Sequence, residues 1–485
     1  MSDVGYEHLE PAALWARFRE LAAVSRPPRG EGPAIALIRD WASGLGLQAA
    51  PAGGDNLVVR VPASAGRQGA PIVVLQAHVD MVCERDSSSP FDPATGGIGL
   101  VVAGDWLGAD GTTLGADNGV GVAAMQAVAE SNAPHGPLEL LFTTAEEVGL
   151  EGARLLDAAA IRGRLLLNLD SEEDGVLTVG CAGATDTCIR AEAARTPARA
   201  SEVALRVVAS GGTGGHSGMD IADGRANAVK VLARCLQQVI DRVPGRLSSL
   251  DGGTSRNAIP RDAEAVLLVF NGDSAAAHEA LEAAGQEARA AFAATDPGLR
   301  VSVARTPVPA TAWSGRTTAT LLDLVVALPS GPLAMSSRFP GVVETSTSLG
   351  VVTTRPDGLD ACSLTRTSNQ AALGGVLGSL AAVAGLAGAR LDIQHGYPAW
   401  EARSTSPLLT TCITAWRGLF GEPPVTAAAH AGLEPALLGR SIPSIDMVSI
   451  GPLIESPHSP AERVNIPSVQ RFWRYLLALL DALSE

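Results

Sequence analysis

Near-continuous apolar runs of strand length recur along the first part of the chain, separated by segments whose apolar positions have helical spacing. Three runs stand out, residues 71–77 (PIVVLQA), 138–144 (LELLFTT) and 164–169 (RLLLNL). Their continuity is that of strands covered on both faces in a mostly parallel sheet, not the alternation of a half-exposed one. Residues 444–450 (SIDMVSI) form a fourth such run near the C-terminus. Between the first two, Asn118-Gly119 leads into GVGVAAMQAVAE, where a turn signal followed by helical spacing predicts a helix. From about residue 184 the pattern changes. Strands such as VALRVVAS and AEAVLLVF then alternate with helices over 226–243 and 274–294, as in an inserted α+β domain. The chain returns to its first domain near Tyr397-Pro398-Ala399-Trp400 and ends in an amphipathic helix over 469–483. The expected organisation is therefore an α/β domain built from residues 1–183 and 398–485, its mostly parallel sheet flanked by helices. Residues 184–397 form the insert, which is long enough for two small α+β units.

Composition narrows the setting. At 485 residues the chain is long enough for two or three domains, each with its own core. A net charge of -15 argues against nucleic acid as a partner, because carboxylates repel phosphates and release no counterions. The cysteines (Cys83, Cys181, Cys188, Cys235, Cys362 and Cys412) lack CxxC spacing, so neither a disulfide framework nor a thiolate metal site is signalled, and a reducing, cytoplasmic compartment is expected. The start, MSDVGYEHLEPAALWARF, has acids from its third position and none of the basic-then-apolar pattern of an export signal. Residues 373–389 are rich in Ala, Gly, Leu and Val, but small residues supply little transfer energy to a bilayer. The segment reads as a buried helix and not as a membrane span.

The polar residues at the strand ends carry the candidate chemistry. His78-Val79-Asp80 follows the first strand, Glu146-Glu147 the second and Asp170 the third; His458 comes shortly after the fourth, and Asp117 lies in GADNG before the predicted helix. Open α/β sheets bind ligands beyond the carboxyl ends of their strands, so these residues are expected to converge on one cleft. Carboxylates gathered so closely repel one another unless a cation lies between them. Two imidazoles with several carboxylates suit a pair of zinc ions, with cobalt or manganese as substitutes.

The strings LQAHVDMVCE, GTTLGADNGVGVAAMQAV, LFTTAEEVGLEGA, LLNLDSEEDGVLTVGCAG, GGHSGMDI and SIGPLIESPHSPAERV resemble those of aminoacyl-histidine dipeptidases. These are co-catalytic zinc peptidases related to aminoacylases and other exopeptidases, and the resemblance runs over effectively the whole chain. It implies a zinc-exopeptidase-like α/β fold with an inserted α+β lid domain, and cleavage of Xaa-His or other dipeptides. It also implies that His78 and Asp170 hold one zinc, Glu147 and His458 the other, and Asp117 both, with a cis peptide bond after Asp117. Asp80 would orient His78, and Glu146 would be the general base. His216 in GGTGGHSGMD would help to bind the oxyanion. Asn257 in SRNAIP and Arg366 in SLTRTSNQ would contact substrate, Arg366 gripping its carboxylate. His430 and Glu434 in HAGLEP, expected on the catalytic-domain side, are further substrate-binding candidates that match a family motif, but Pro435-Ala436 stands where relatives usually carry Cys-Gly. The resemblance leaves the choice between monomer and homodimer open. It also leaves a deacylase or carboxypeptidase acting on N-acyl amino acids or longer peptides, and a non-catalytic metal-binding relative, as alternatives.

Overall fold

In the computed structural model, which describes residues 8–403 and 405–485 and His395 by its backbone alone, the four apolar runs become the strands Val73–His78, Leu138–Thr143, Leu165–Asn168 and Asp446–Ser449. The chain divides into two compact units. One comprises residues up to 180 with 400–428 and 433–485, the other residues 181–399 with 429–432.

The first unit is built on an eight-stranded sheet. Its order is Gln48–Pro51, Leu57–Val61, Leu138–Thr143, Val73–His78, Leu165–Asn168, Asp446–Ser449, Val176–Cys181 and Val425–Ala429. The four apolar runs are thus consecutive in space and mutually parallel. Their registers pair His78 with Thr143, Gln76 with Asn168 and Asn168 with Ser449, so their carboxyl ends are nearly level. Every residue of Val73–His78 and Leu138–Thr143 is buried, as strands covered on both faces require. The helix Ala116–Glu130 packs on Val73–His78 and on the N-terminal helix Ala12–Ala22, and Pro407–Phe420 packs on Asp446–Ser449 and on the closing helix Ile466–Ala482.

The second unit holds a nine-stranded antiparallel sheet. Strands Glu202–Ser210, Gly245–Gly252, Ala263–Phe270 and Arg300–Thr306, with helices Ala228–Ile240 and Ser274–Ala291, form a βαββαβ half. Val343–Arg355, Gly358–Thr367, Gly183–Glu192 and Arg390–Tyr397 continue the same sheet, with Gly331–Met335 paired beside Val343–Arg355. The two halves meet where Gly252 faces Val352, and one apolar core runs beneath both, from Leu205 and Leu267 to Leu349, Leu359 and Leu380. The two small α+β units expected from length therefore share one sheet and one core.

Two expectations are corrected here. The helix Gln370–Leu386 is not buried: only Leu380 and Ala384 are, and Leu386 is 91% exposed. Its apolar residues surround the whole helix, whereas the core accepts a single face. Second, Cys188 and Cys362 are bonded. Antiparallel pairing of Gly183–Glu192 with Gly358–Thr367 places them directly opposite each other, across a sequence separation that leaves no spacing motif.

Candidate metal centre

The level strand ends bring the five donors together. The Nε2 atom of His78 lies 3.0 Å from Asp117 Oδ1 and 3.3 Å from Asp170 Oδ1. That of His458 lies 3.1 Å from Asp117 Oδ2 and 3.1 Å from Glu147 Oε2. One carboxylate, Asp117, thus divides its two oxygens between two donor trios, and within each trio the donor atoms lie within 4.8 Å of one another. Glu146 joins Glu147 and His78 in a third such grouping.

Local backbone geometry aims these groups. Ala145, at φ 51°, turns the chain sharply after Leu138–Thr143, and the Asp80 carboxylate accepts the amide N–H groups of Glu146 (3.0 Å) and Glu147 (3.1 Å). The Asp80 backbone carbonyl lies 3.0 Å from His78 Nδ1 and its carboxylate 3.5 Å away, so Nδ1 donates and Nε2 keeps its lone pair for a cation. His458 itself sits at φ 60°, a sparsely populated conformation for a residue with a side chain. The Asp117-Asn118 peptide bond is cis, and Asn118 donates to Asp170 Oδ1 at 2.5 Å.

Two residues that carried no sequence signal hold the Asp117 loop. The buried Glu462 carboxylate accepts the N–H groups of Leu114 (2.8 Å), Gly115 (2.9 Å), Ala116 (2.8 Å) and Asp117 (3.2 Å). Arg26, fully buried, donates to the carbonyls of Gly115 (2.6 Å) and Val79 (2.8 Å). Gly115, at φ 67°, has to be glycine, since a Cβ there would run into the Arg26 guanidinium and Met81. Glu462 lies inside a string that carried the family likeness; its role, backbone capture, has no spacing signature.

Electrostatics describe a site short of positive charge. Burial pushes the Glu146 carboxyl well above its usual range; the charges of Glu147, Asp170 and Glu434 add to this and His78 opposes it. Burial also raises Asp170, with Asp117 and Asp80 adding to it. Burial lowers His78, but Asp170 and Asp117 outweigh it and hold the imidazole well above its ordinary value. His458 is likewise pushed up to about 11 by Asp117 and Glu147 against the cost of burial. Protons on both imidazoles offset part of the negative charge, a task suited to bound cations. Glu147 Oε1 is buried without a hydrogen-bond partner, and the donor set of imidazoles and carboxylates is the one zinc favours. The residues fit a pair of ions that share Asp117.

The other candidates fall in two places. His216, Arg366, His430 and Asn257 lie in the second unit. Arg366, 4% exposed, donates to Tyr397 Oη at 3.0 Å and has its Nη2 3.1 Å from His216 Nε2. His430 was expected on the catalytic-domain side, yet its Nε2 lies 2.7 Å from Ser346 Oγ of the second unit. The chain at Ala429 accepts the Ala182 N–H and so follows that unit. Gly218 leaves no room for a Cβ between the His430 carbonyl and Arg366, which explains the glycine in GGHSGMD. The Asn257 carbonyl accepts the Ser217 N–H at 2.7 Å, and Ala258 pairs with His216. Glu434 lies in the first unit, fully buried, accepting from Gln76 Nε2 (2.5 Å) and Thr143 Oγ1 (2.8 Å); burial pushes its carboxyl up to about 8.

Paired donor trios sharing one carboxylate at the carboxyl edge of a mostly parallel sheet define a metal-dependent hydrolase of the α/β class. Residues 74–482 match peptidase family M20/M25/M40, and the chain belongs to that family. It is 35% identical over 474 residues to the cytosol non-specific dipeptidase of Escherichia coli (strain K12), covering 97% of this chain and 98% of that protein. It is similar to the crystal structure of the aminoacylhistidine dipeptidase from Vibrio alginolyticus, with a TM-score of 0.83, 34% identity, and coverage of 98% of this chain and 97% of the other. The aminopeptidase PepT structure from Bacillus cereus ATCC 10987 shares the fold at a TM-score of 0.54 and 15% identity, covering 98% of this chain and 100% of that one.

Proposed function

We propose that this protein hydrolyses dipeptides, Xaa-His among them, with two zinc ions held by His78 and Asp170, by Glu147 and His458, and jointly by Asp117. The observation that carries this reading is the division of Asp117 between the two histidines, Oδ1 toward His78 and Oδ2 toward His458. The dipeptide half is supported by the activities named for the relatives from Escherichia coli and Vibrio alginolyticus.

When bound, such an ion pair acts as a Lewis acid that acidifies water and polarises the scissile carbonyl. Glu146 receives the proton of the attacking water and returns it to the leaving amine, and its burial among carboxylates gives it the proton affinity this requires. Asp80 positions both Glu146 and His78. In the second unit, His216 Nδ1 accepts the Met219 N–H at 3.0 Å, which puts the proton of the neutral ring on Nε2. That N–H and the Arg366 guanidinium, 3.1 Å apart, are then two donors converging on one point, suited to an oxyanion or the substrate carboxylate. Asn257 adjoins this pair, and His430 borders it through Gly218. Glu434 acts from within the core by fixing Gln76 and Thr143.

The reading extends to a cytoplasmic location, supported by the description of the Escherichia coli relative as a cytosol enzyme. It also extends to a homodimer formed through the exposed, charge-free helix Gln370–Leu386. Among the described residues no helix is long and apolar enough to cross a membrane.

Purified protein should contain about two zinc ions per chain by elemental analysis and cleave free dipeptides faster than the matching N-acetyl amino acids. Faster cleavage of the N-acetyl substrates, which lack the free amine, would reassign the enzyme as a deacylase.

A further inference from the structure

A cavity in the second unit, lined by residues other than His216 and Arg366, lies between the helices Ala228–Ile240 and Ser274–Ala291 and has a volume of about 580 Å³. That volume is in the range of small-molecule sites, which are mostly apolar with a few polar groups that fix orientation. Val231, Ile259, Ala284, Ala288 and Phe292 supply its apolar wall.

Three cations line the cavity, and two of them are already engaged. Lys230 gives its ammonium to the carbonyls of Val325 (2.9 Å), Val326 (2.6 Å) and Leu328 (2.5 Å), which uses all three donors. Arg225 is held by Asp220, Asp223 and the Gly214 carbonyl. Arg234 is the third, exposed and without a side-chain hydrogen bond or ion pair among the described residues. Glu287, the acid of the lining, is equally unengaged. Both line the same cavity, and no ion pair joins them among the described residues.

An unpaired guanidinium, an unpaired carboxylate and an apolar wall, set around one cavity, form the complement of a zwitterion with a hydrocarbon side chain. We propose that this cavity binds a free apolar amino acid, its carboxylate on Arg234, its ammonium on Glu287 and its side chain against Val231, Ala288 and Phe292. Ligands of this kind are also released by dipeptide hydrolysis, but the proposal rests on the cavity alone and stands whatever the metal centre cleaves.

The test is calorimetric titration of L-leucine into the full-length, metal-loaded protein and into Arg234→Ala, Glu287→Ala and Ala288→Trp. Leucine held at the metal centre contributes equally to all four, so the cavity is read from the component that the variants lose. That component should weaken about tenfold or more in each charge variant and disappear when tryptophan fills the space. As probes of one charge each, 4-methylpentanoate should respond to Arg234→Ala but not to Glu287→Ala, and isoamylamine the reverse. Identical leucine isotherms for the wild type and both charge variants would overturn the proposal, as would no saturable binding below about 10 mM. Arg234 and Glu287 are exposed helix positions whose truncation leaves the core intact, so the charge variants decide the matter even if Ala288→Trp fails to fold.

Discussion

Glu146 and Glu462 both lie near the donor groups, and they use a carboxylate in opposite ways. Glu146 is the general base of the proposed mechanism, whereas both oxygens of Glu462 are committed to four backbone N–H groups. Glu146→Gln should therefore keep its zinc by elemental analysis while kcat falls by about 10³-fold or more. Glu462→Ala should do something different. It leaves four donors of residues 114–117 unsatisfied, so unfolding in urea should show a loss of about 3 kcal/mol or more, with zinc content falling as Asp117 is released. His430 permits a pH prediction. Burial, with Arg366 and His216 nearby, lowers its pKa from 6.5 to about 4. Between those values the unfolded chain takes up a proton that the folded chain refuses, so stability present above pH 6.5 is lost as pH falls toward 4. His430→Gln should flatten that part of the stability–pH curve, by about 3 kcal/mol at its acid end.

At the scale of elements, the four parallel strands of the first unit were readable because strands covered on both faces are apolar without interruption, and its other four were not. The expected 138–144 and the observed Leu138–Thr143 differ by one residue. The candidate donors at the strand ends stood out for the same reason, since each polar residue interrupts a hydrophobic run at a defined point. Arg26 and Glu462 were not, because a side chain that binds backbone amides or carbonyls needs no periodicity and no partner of a given type. The helix Gln370–Leu386 was misjudged because hydrophobicity all round a helix reports what could be buried, not what the core has room for. The loop bearing His216 supplies the test at this scale. Gly218→Ala should displace it from the His430 carbonyl and Arg366, raising KM for dipeptides about tenfold or more while zinc content stays unchanged.

For the molecule as a whole, the change of pattern near residue 184 lies close to where the second unit begins at residue 181, but nothing in the pattern announced that unit's single sheet. The halves join where Gly252 pairs with Val352 and Thr354 bonds Leu250 and Asp251, short contacts that no periodicity announces. The charge-free helix Gln370–Leu386 is the surface to probe for self-association. For the proposed homodimer, wild-type protein should run as a dimer in light scattering coupled to size exclusion and Leu386→Glu as a monomer, with the metal content of each chain unaltered.

The place of Asp446–Ser449 in the first sheet, between Leu165–Asn168 and Val176–Cys181, bears on how the protein is made. Its neighbours on both sides leave the ribosome long before it does, and the whole of residues 181–399 is translated in between. A nascent chain thus carries a gap in its sheet until Asp446–Ser449 is made, and His78, Asp117, Glu147 and Asp170 lack His458 for longer still. On the proposed metal centre, loading has to follow synthesis of residue 458, and chains that stall before residue 446 are left with an open sheet, a substrate for chaperones or proteases.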